Sequence, residues 1–180
     1  MPMKNFLLSF AVLLLTVATL KAQTVILDFE AAPTSTVFQY FGSTLDGTTN
    51  QVIDNPNKSG LNTSTKVGKF VKPAVAEVWA GAFSNPNPTT LVDLSAHTRI
   101  AVKVHMDHIG SLSVKLEGSG NGGPNWLLTQ PNTKINEWEE LIFDVSVPSL
   151  EDPRAPAAGF SYARVVLFFD FGKGGTGTDV

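Results

Sequence analysis

The stretch Arg99–Asp107, RIAVKVHMD, alternates without a break: Ile100, Val102, Val104 and Met106 fall on one side, and Arg99, Lys103, His105 and Asp107 on the other. A helix would spread those apolar groups around its circumference, whereas a strand gathers them on one face. This period of two commits the region to half-buried antiparallel strands. The segment SLSVKLEG (111–118) repeats it, with Leu112, Val114 and Leu116 inward and Ser113, Lys115 and Glu117 outward. In EWEELIFDVS, Leu141, Phe143 and Val145 oppose Glu140, Ile142 and Asp144. SYARVVLFFDFG (161–172) is the last and most apolar run.

Earlier runs are shorter. TVILDFE (24–30), TVFQYF (36–41), KVGKFVK (66–72) and AVAEVWAGAF (74–83) each read as a strand, and QVIDNPNKSGLNTST (51–65) as a long polar loop. GSGNGGPN (118–125) reads as a glycine-rich loop ending at Trp126, and GKGGTG (172–177) as a hairpin turn. Such frequent breaks need 15 Gly and 11 Pro, and the low charged fraction of 16% together with 12 Phe leaves enough apolar material for a core. The sequence predicts an all-β domain, a β-sandwich of two antiparallel sheets, with no helix of length after the leader.

The first 22 residues are a separate matter. A lysine near the start, an apolar run from Phe6 to about Leu20 and a small residue before Gln23 make a secretory signal pattern. The apolar run is shorter than the ~20 residues a spanning helix needs. The expectation is a cleaved leader (1–22), one domain over 23–180, a secreted or cell-surface location, and no membrane attachment once the leader is removed. Cysteine is absent, so an exported fold of this kind rests on its core and not on disulfides. The same absence excludes thiol catalysis and cysteine-ligated zinc.

Net charge is −3 and no basic block occurs, so nucleic acid is not an expected partner. The outward faces of several strands mix charges with aromatics: Glu77 and Trp79, Lys103 and His105, Lys115 and Glu117, Arg164 and Phe168. If these strands share one sheet, the surface suits sugar recognition, in which an apolar ring face stacks on an aromatic and hydroxyls meet charged partners. Parity alone favours the plainer alternative, a solvated face with cross-strand charge pairs. Trp79 shares parity with Glu77, which places it on a polar face, either open or covered.

Catalytic patterns are weak. Glu140 and Asp144 lie four positions apart on one strand face, but paired carboxylates for glycoside hydrolysis need tight spacing, and solvated acids fit as well. His105 and His108 stand three apart at a strand end, and both read as surface residues. The glycine-rich 172–177 segment lacks the helix that a phosphate loop requires.

In order, ILDFE, VIDNPNKSGLNTSTKVGKFVK, EVWAGAF, IAVKVHM, SVKLEG, EWEELIFDVS and RVVLFFDFGKGGTGTDV resemble the galactose-binding-like β-jelly-roll domains of secreted bacterial proteins. These are similar to carbohydrate-binding modules of the cellulose- and laminarin-binding type. The resemblance implies a jelly roll, a non-enzymatic role and a glycan or polysaccharide ligand, with a fused or associated glycosidase as a further partner. It implies Trp79 and Trp126 as stacking residues, with Asn125, Lys103, His105 and Glu117 as polar partners. Such domains carry a further strand after the glycine-rich turn, and Asp179-Val180 stand in its place here, so the resemblance implies a jelly roll lacking its last strand. It also implies a structural calcium, with Asp28 and Glu30 at the first-strand position and Ser59 to Asn62 in the loop, weakened or lost without that strand. The alternatives are a structural or adhesive surface module without a sugar site, and an accessory fragment of a glycoside hydrolase.

Overall fold

The period-two runs become strands wherever a partner covers their apolar face. A computed structural model describes residues 23–26, 28–30, 38–42, 51–84, 92, 94, 97–118, 125–155 and 162–175. The expected leader, the glycine-rich stretch 119–124 and residues 176–180 lie outside them. The strands are β1 (Phe38–Phe41), β2 (Gln51–Asp54), β3 (Lys66–Lys69), β4 (Gly81–Ser84), β5 (Arg99–His105), β6 (Ser111–Gly118), β7 (Trp126–Pro131), β8 (Trp138–Asp144) and β9 (Tyr162–Phe169). No helix occurs among the described residues.

All strand pairings are antiparallel. A five-stranded sheet runs β1-β4-β9-β6-β7, while β5 pairs with β8 and β2 with β3. From the large sheet, Leu112, Val114 and Leu116 of β6 and Val165 and Leu167 of β9 point into one core with Tyr40, Ala82, Trp126 and Leu128. Val104, Leu141 and Phe143 close that core from the β5–β8 pair, and Ile100 and Val102 pack against it. The alternation read in β5 and β8 is thus the alternation of burial; in β6 it holds for Leu112, Val114 and Leu116, but Ser113, read as outward, is completely buried as well, and the result is an all-β sandwich. Leu112, Val114, Leu116 and Phe143 are completely buried; each such side chain contributes about 1.5–3 kcal/mol by leaving water.

Three expectations change. The described residues of 24–30 form no strand, although Ile26 and Phe29 pack on the core. The Phe29 ring occupies the space that a Cβ on Gly68 would need, so this segment is held by side-chain packing without a ladder. Gln51–Asp54, read as loop, pairs with Lys66–Lys69, because the polar segment between them turns back on itself. Of AVAEVWAGAF, only the end belongs to a strand, β4. Pro73 starts two successive turns there, closed by Ala76 N to Pro73 O (2.8 Å) and Ala80 N to Glu77 O (2.9 Å).

Candidate functional site

The outer face of the five-stranded sheet is not uniformly polar. Register sets Phe83 beside Val166, Val166 beside Lys115 and Lys115 beside Leu127. Leu127, Val166 and Phe168 are buried on this face, with Phe41 and Phe83 packed against them. A connected set of rings crosses it. Phe41 stacks on Phe83 (6.0 Å between centroids, 28°) and meets Phe168 edge-on (5.7 Å, 86°). Phe168 meets Phe171 at 4.9 Å, and Trp79 lies nearly parallel to Phe41 (6.2 Å, 16°). The outermost rings remain open: Trp79 is 49% exposed and Phe171 45%.

Local backbone positions these two rings. Gly42 has φ of 78°, and a Cβ there would lie 2.7 Å from Trp79 Cζ3. Only a residue without a side chain supplies both the left-handed conformation and the floor beneath the indole. The Glu77 amide donates to the Gly42 carbonyl (2.9 Å) and the Gly172 amide to the Val78 carbonyl (2.9 Å). Lys72, itself buried, donates through Nζ to the carbonyls of Val78 (3.4 Å), Phe169 (3.1 Å) and Asp170 (3.1 Å). The turn bearing Trp79 and the turn bearing Phe171 are therefore bound to each other.

The other end of the face is charged. Lys115 Nζ lies 3.4 Å from Glu117 and 3.0 Å from Glu151, and Arg164 lies 3.4 Å from Glu117. Asn125 Nδ2 donates to Glu151 (3.2 Å). The Arg164 guanidinium sits 4.7 Å above the Phe83 ring. Arg164 and Phe168 are four residues apart along β9, or about 13 Å at the usual strand rise. The face thus offers stacking rings at one end and paired charges at the other.

No protein-family model matches the chain, and no curated protein matches it.

The expected ligand residues do not all meet. Trp79, Glu117 and Asn125 gather on or beside this face. Trp79 reaches it from a turn and not from a strand. Lys103 and His105 do not belong to it: they lie on the outer side of β5, opposite Glu140 and Trp138 of β8. His105 meets the Trp138 ring edge-on at 5.4 Å. Parity assigns a face to each strand but not a sheet to each face, and that is where the single composite site fails. Trp126 also needs correction as a stacking residue. It is completely buried, pointing inward with Leu128, and its Nε1 donates to the Val147 carbonyl (3.0 Å). Trp138 lies at the start of β8 and donates to the Asn57 carbonyl (2.8 Å).

The four expected metal ligands divide as follows. Glu30 does reach the loop, but its Oε1 accepts the amides of Thr65 and Lys66 (3.1 Å for the latter). Its pKa is lowered, chiefly by the Lys66 amide. Asn62 Oδ1 accepts the amide (3.2 Å) and hydroxyl (2.7 Å) of Ser64. Ser59 and Asn62 exchange backbone hydrogen bonds (3.2 and 2.8 Å), and Asp28 is exposed. Calcium takes six to eight oxygens. Here the Glu30 Oε1, the Asn62 Oδ1 and the Ser59 and Asn62 carbonyls each accept an internal hydrogen bond. No group of three or more acidic or histidine side chains placed to hold a metal ion occurs among the described residues.

One constellation escaped the sequence reading. His108 bridges two carboxylates, Asp107 (2.5 Å from Nδ1) and Asp170 (2.6 Å from Nε2). Asp107 is adjacent in sequence, but Asp170 stands 62 residues away. Only the β6–β9 register brings it there, so no local signal could have revealed the pair.

Proposed function

We propose that this chain is an exported, non-enzymatic glycan-binding module of the galactose-binding-like jelly-roll type. The observation that carries this reading is the half-exposed Trp79, backed by Phe41, fixed over Gly42 and neighboured by Phe171. A flat ring held in one pose loses little entropy on stacking with a pyranose, and its face suits C–H groups. Glu117, Asn125, Arg164 and Lys115 lie farther along the same face and supply acceptors and donors for hydroxyls of a chain long enough to span it. Affinity of a single site of this kind is weak, and repetition within a larger assembly raises it.

A second reading draws on one specific feature. The charges on this face are already engaged with one another: Lys115 with Glu117 and Glu151, and Arg164 with Glu117. A structural or adhesive surface module would keep its face soluble in this way. Affinity electrophoresis against a panel of soluble glycans separates the two. Glycan binding predicts retardation by at least one polysaccharide, lost in Trp79→Ala and kept in Trp126→Phe. Absence of retardation by every glycan in the panel favours the structural module.

A further inference from the structure

A neutral imidazole carries one N–H and can donate to one acceptor; an imidazolium donates to two. His108 has a carboxylate oxygen at each nitrogen, Asp107 at 2.5 Å and Asp170 at 2.6 Å. Both contacts are hydrogen bonds only when the ring is doubly protonated. One of its two supports is rigid. Asn132 Oδ1 accepts the Gly110 amide (2.7 Å), and Asn132 Nδ2 donates to the carbonyls of His108 (2.8 Å) and Lys134 (2.8 Å). The turn between β5 and β6 is thereby fastened to the end of β7.

The other support is the turn after β9. Asp170 adopts φ of 48°, a left-handed conformation that aspartate tolerates better than most residues. Its carboxylate fits because Gly110 has no Cβ to occupy the same space. Asp170 Oδ1 accepts the Ser111 amide (3.0 Å) and lies 3.5 Å from Lys173 Nζ, while Lys72 Nζ donates to the Asp170 carbonyl. The charged groups around the ring are thus Asp107 from its own turn, Asp170 and Lys173 from the turn after β9, and Lys72 from the segment before β4. The next residue in that turn is Phe171, whose ring packs on Phe168 beside the open aromatic face.

We infer that His108 is a proton-operated latch: its imidazolium ties the β5–β6 turn to the 170–173 turn that carries Phe171, and loss of the proton removes that side-chain tie. On release, one carboxylate oxygen faces a ring lone pair. Where that oxygen belongs to Asp170, its carboxylate keeps the Ser111 amide and Lys173 and its carbonyl keeps Lys72, while the side-chain tie between the two turns is gone. The hydrogen bonds that the ring donates to Asp107 and then to Asp170 raise the pKa of His108 against its partial burial. Release therefore falls above the ordinary imidazole range near 6.5. The latch stands whether or not the aromatic face binds a glycan.

NMR on the full chain tests this. The His108 ring is expected to titrate above the ordinary histidine value and to move down towards it in both Asp107→Asn and Asp170→Asn. The amides of Phe171 and Gly172 and the indole N–H of Trp79 are expected to shift with the same midpoint as His108, and to lose that titration in His108→Gln. Asp107→Asn removes only an exposed partner, so it reports even where Asp170→Asn disturbs the turn. A His108 midpoint at or below the ordinary value overturns the inference. So do Phe171 and Gly172 signals that do not follow it.

Discussion

Two tryptophans at opposite extremes of burial give the most direct test of the placement argued above. Trp126 is 0% exposed and Trp79 is 49% exposed. A tryptophan buries about 150–250 Å², and at ~25 cal/mol per Å² complete burial corresponds to about 4–6 kcal/mol as an upper estimate. Measured truncations of buried tryptophan to alanine cost about 3–5 kcal/mol, including the cavity. Trp126→Ala should fall in that range, since the Val147 carbonyl also loses its indole donor. Trp79 hides about half its surface and leans on Phe41, so Trp79→Ala should cost about 1–2 kcal/mol. For a domain of this size each kcal/mol moves Tm by roughly 2–4 °C. Trp126→Ala is then expected to lower Tm by about 6–20 °C and Trp79→Ala by about 2–8 °C, read by calorimetry and checked by urea unfolding. Both measurements are free of any assumption about ligands. Equal losses for the two variants, or a Trp126→Ala cost below about 1 kcal/mol, would refute the assignment of Trp126 to the core and Trp79 to the surface.

Gly42→Ala forces a side chain into the left-handed region and under the Trp79 ring; it should cost about 1–2 kcal/mol and shift the Trp79 indole resonance, and an unchanged indole signal would argue against the floor role. Lys72→Met keeps length but deprives three carbonyls of a donor, for an expected loss of about 2–4 kcal/mol by chemical unfolding. His108, with its raised pKa, contributes stability that is complete below about 6.5 and is lost as pH rises through the folded value. Burial alone would raise Asp170, but the His108 hydrogen bond and charge, with Lys173 and the Ser111 amide, lower it; its contribution is present above 3.8 and lost as pH falls through its folded value. The wild-type curve of Tm against pH should therefore fall on the alkaline side, and His108→Gln should flatten that fall; identical curves would count against it. Calcium at a thousandfold excess over a tight site would add about 4.1 kcal/mol, whereas the oxygens of Glu30 and Asn62 that already accept internal hydrogen bonds lead us to expect no rise in Tm in millimolar calcium.

Much of the fold was legible because burial on one face writes itself as period two. Ile100 to Met106, Leu112 to Leu116 and Leu141 to Val145 could be oriented without coordinates, and the structure buries the side that the pattern indicated. Trp126 was harder. It follows a glycine-rich stretch, and the run WLLTQP that it begins is apolar on both faces at its start, so alternation gave no cue to a strand. The strand expected at 24–30 failed for the opposite reason: Ile26 and Phe29 do pack on the core, yet the described residues there join no ladder. The site was legible only in its parts. Trp79 and Glu117 were visible as outward residues, but that Lys103 and His105 belong to a different sheet depends on strand order, which side-chain parity does not encode. The ring cluster of Phe41, Phe83, Phe168 and Phe171 comes from three strands and a turn, and no local spacing marks it.

Strand order also bears on how the chain reaches this state. β9 sits in the middle of the five-stranded sheet, hydrogen-bonded to β4 on one side and β6 on the other. Before residues 162–169 arrive, β1 with β4 and β6 with β7 are two separate ribbons sharing no ladder. Small antiparallel ribbons are marginal alone in water, and pairings this distant in sequence form slowly. The main sheet is therefore completed only when this late segment docks between the two ribbons and joins them into one ladder.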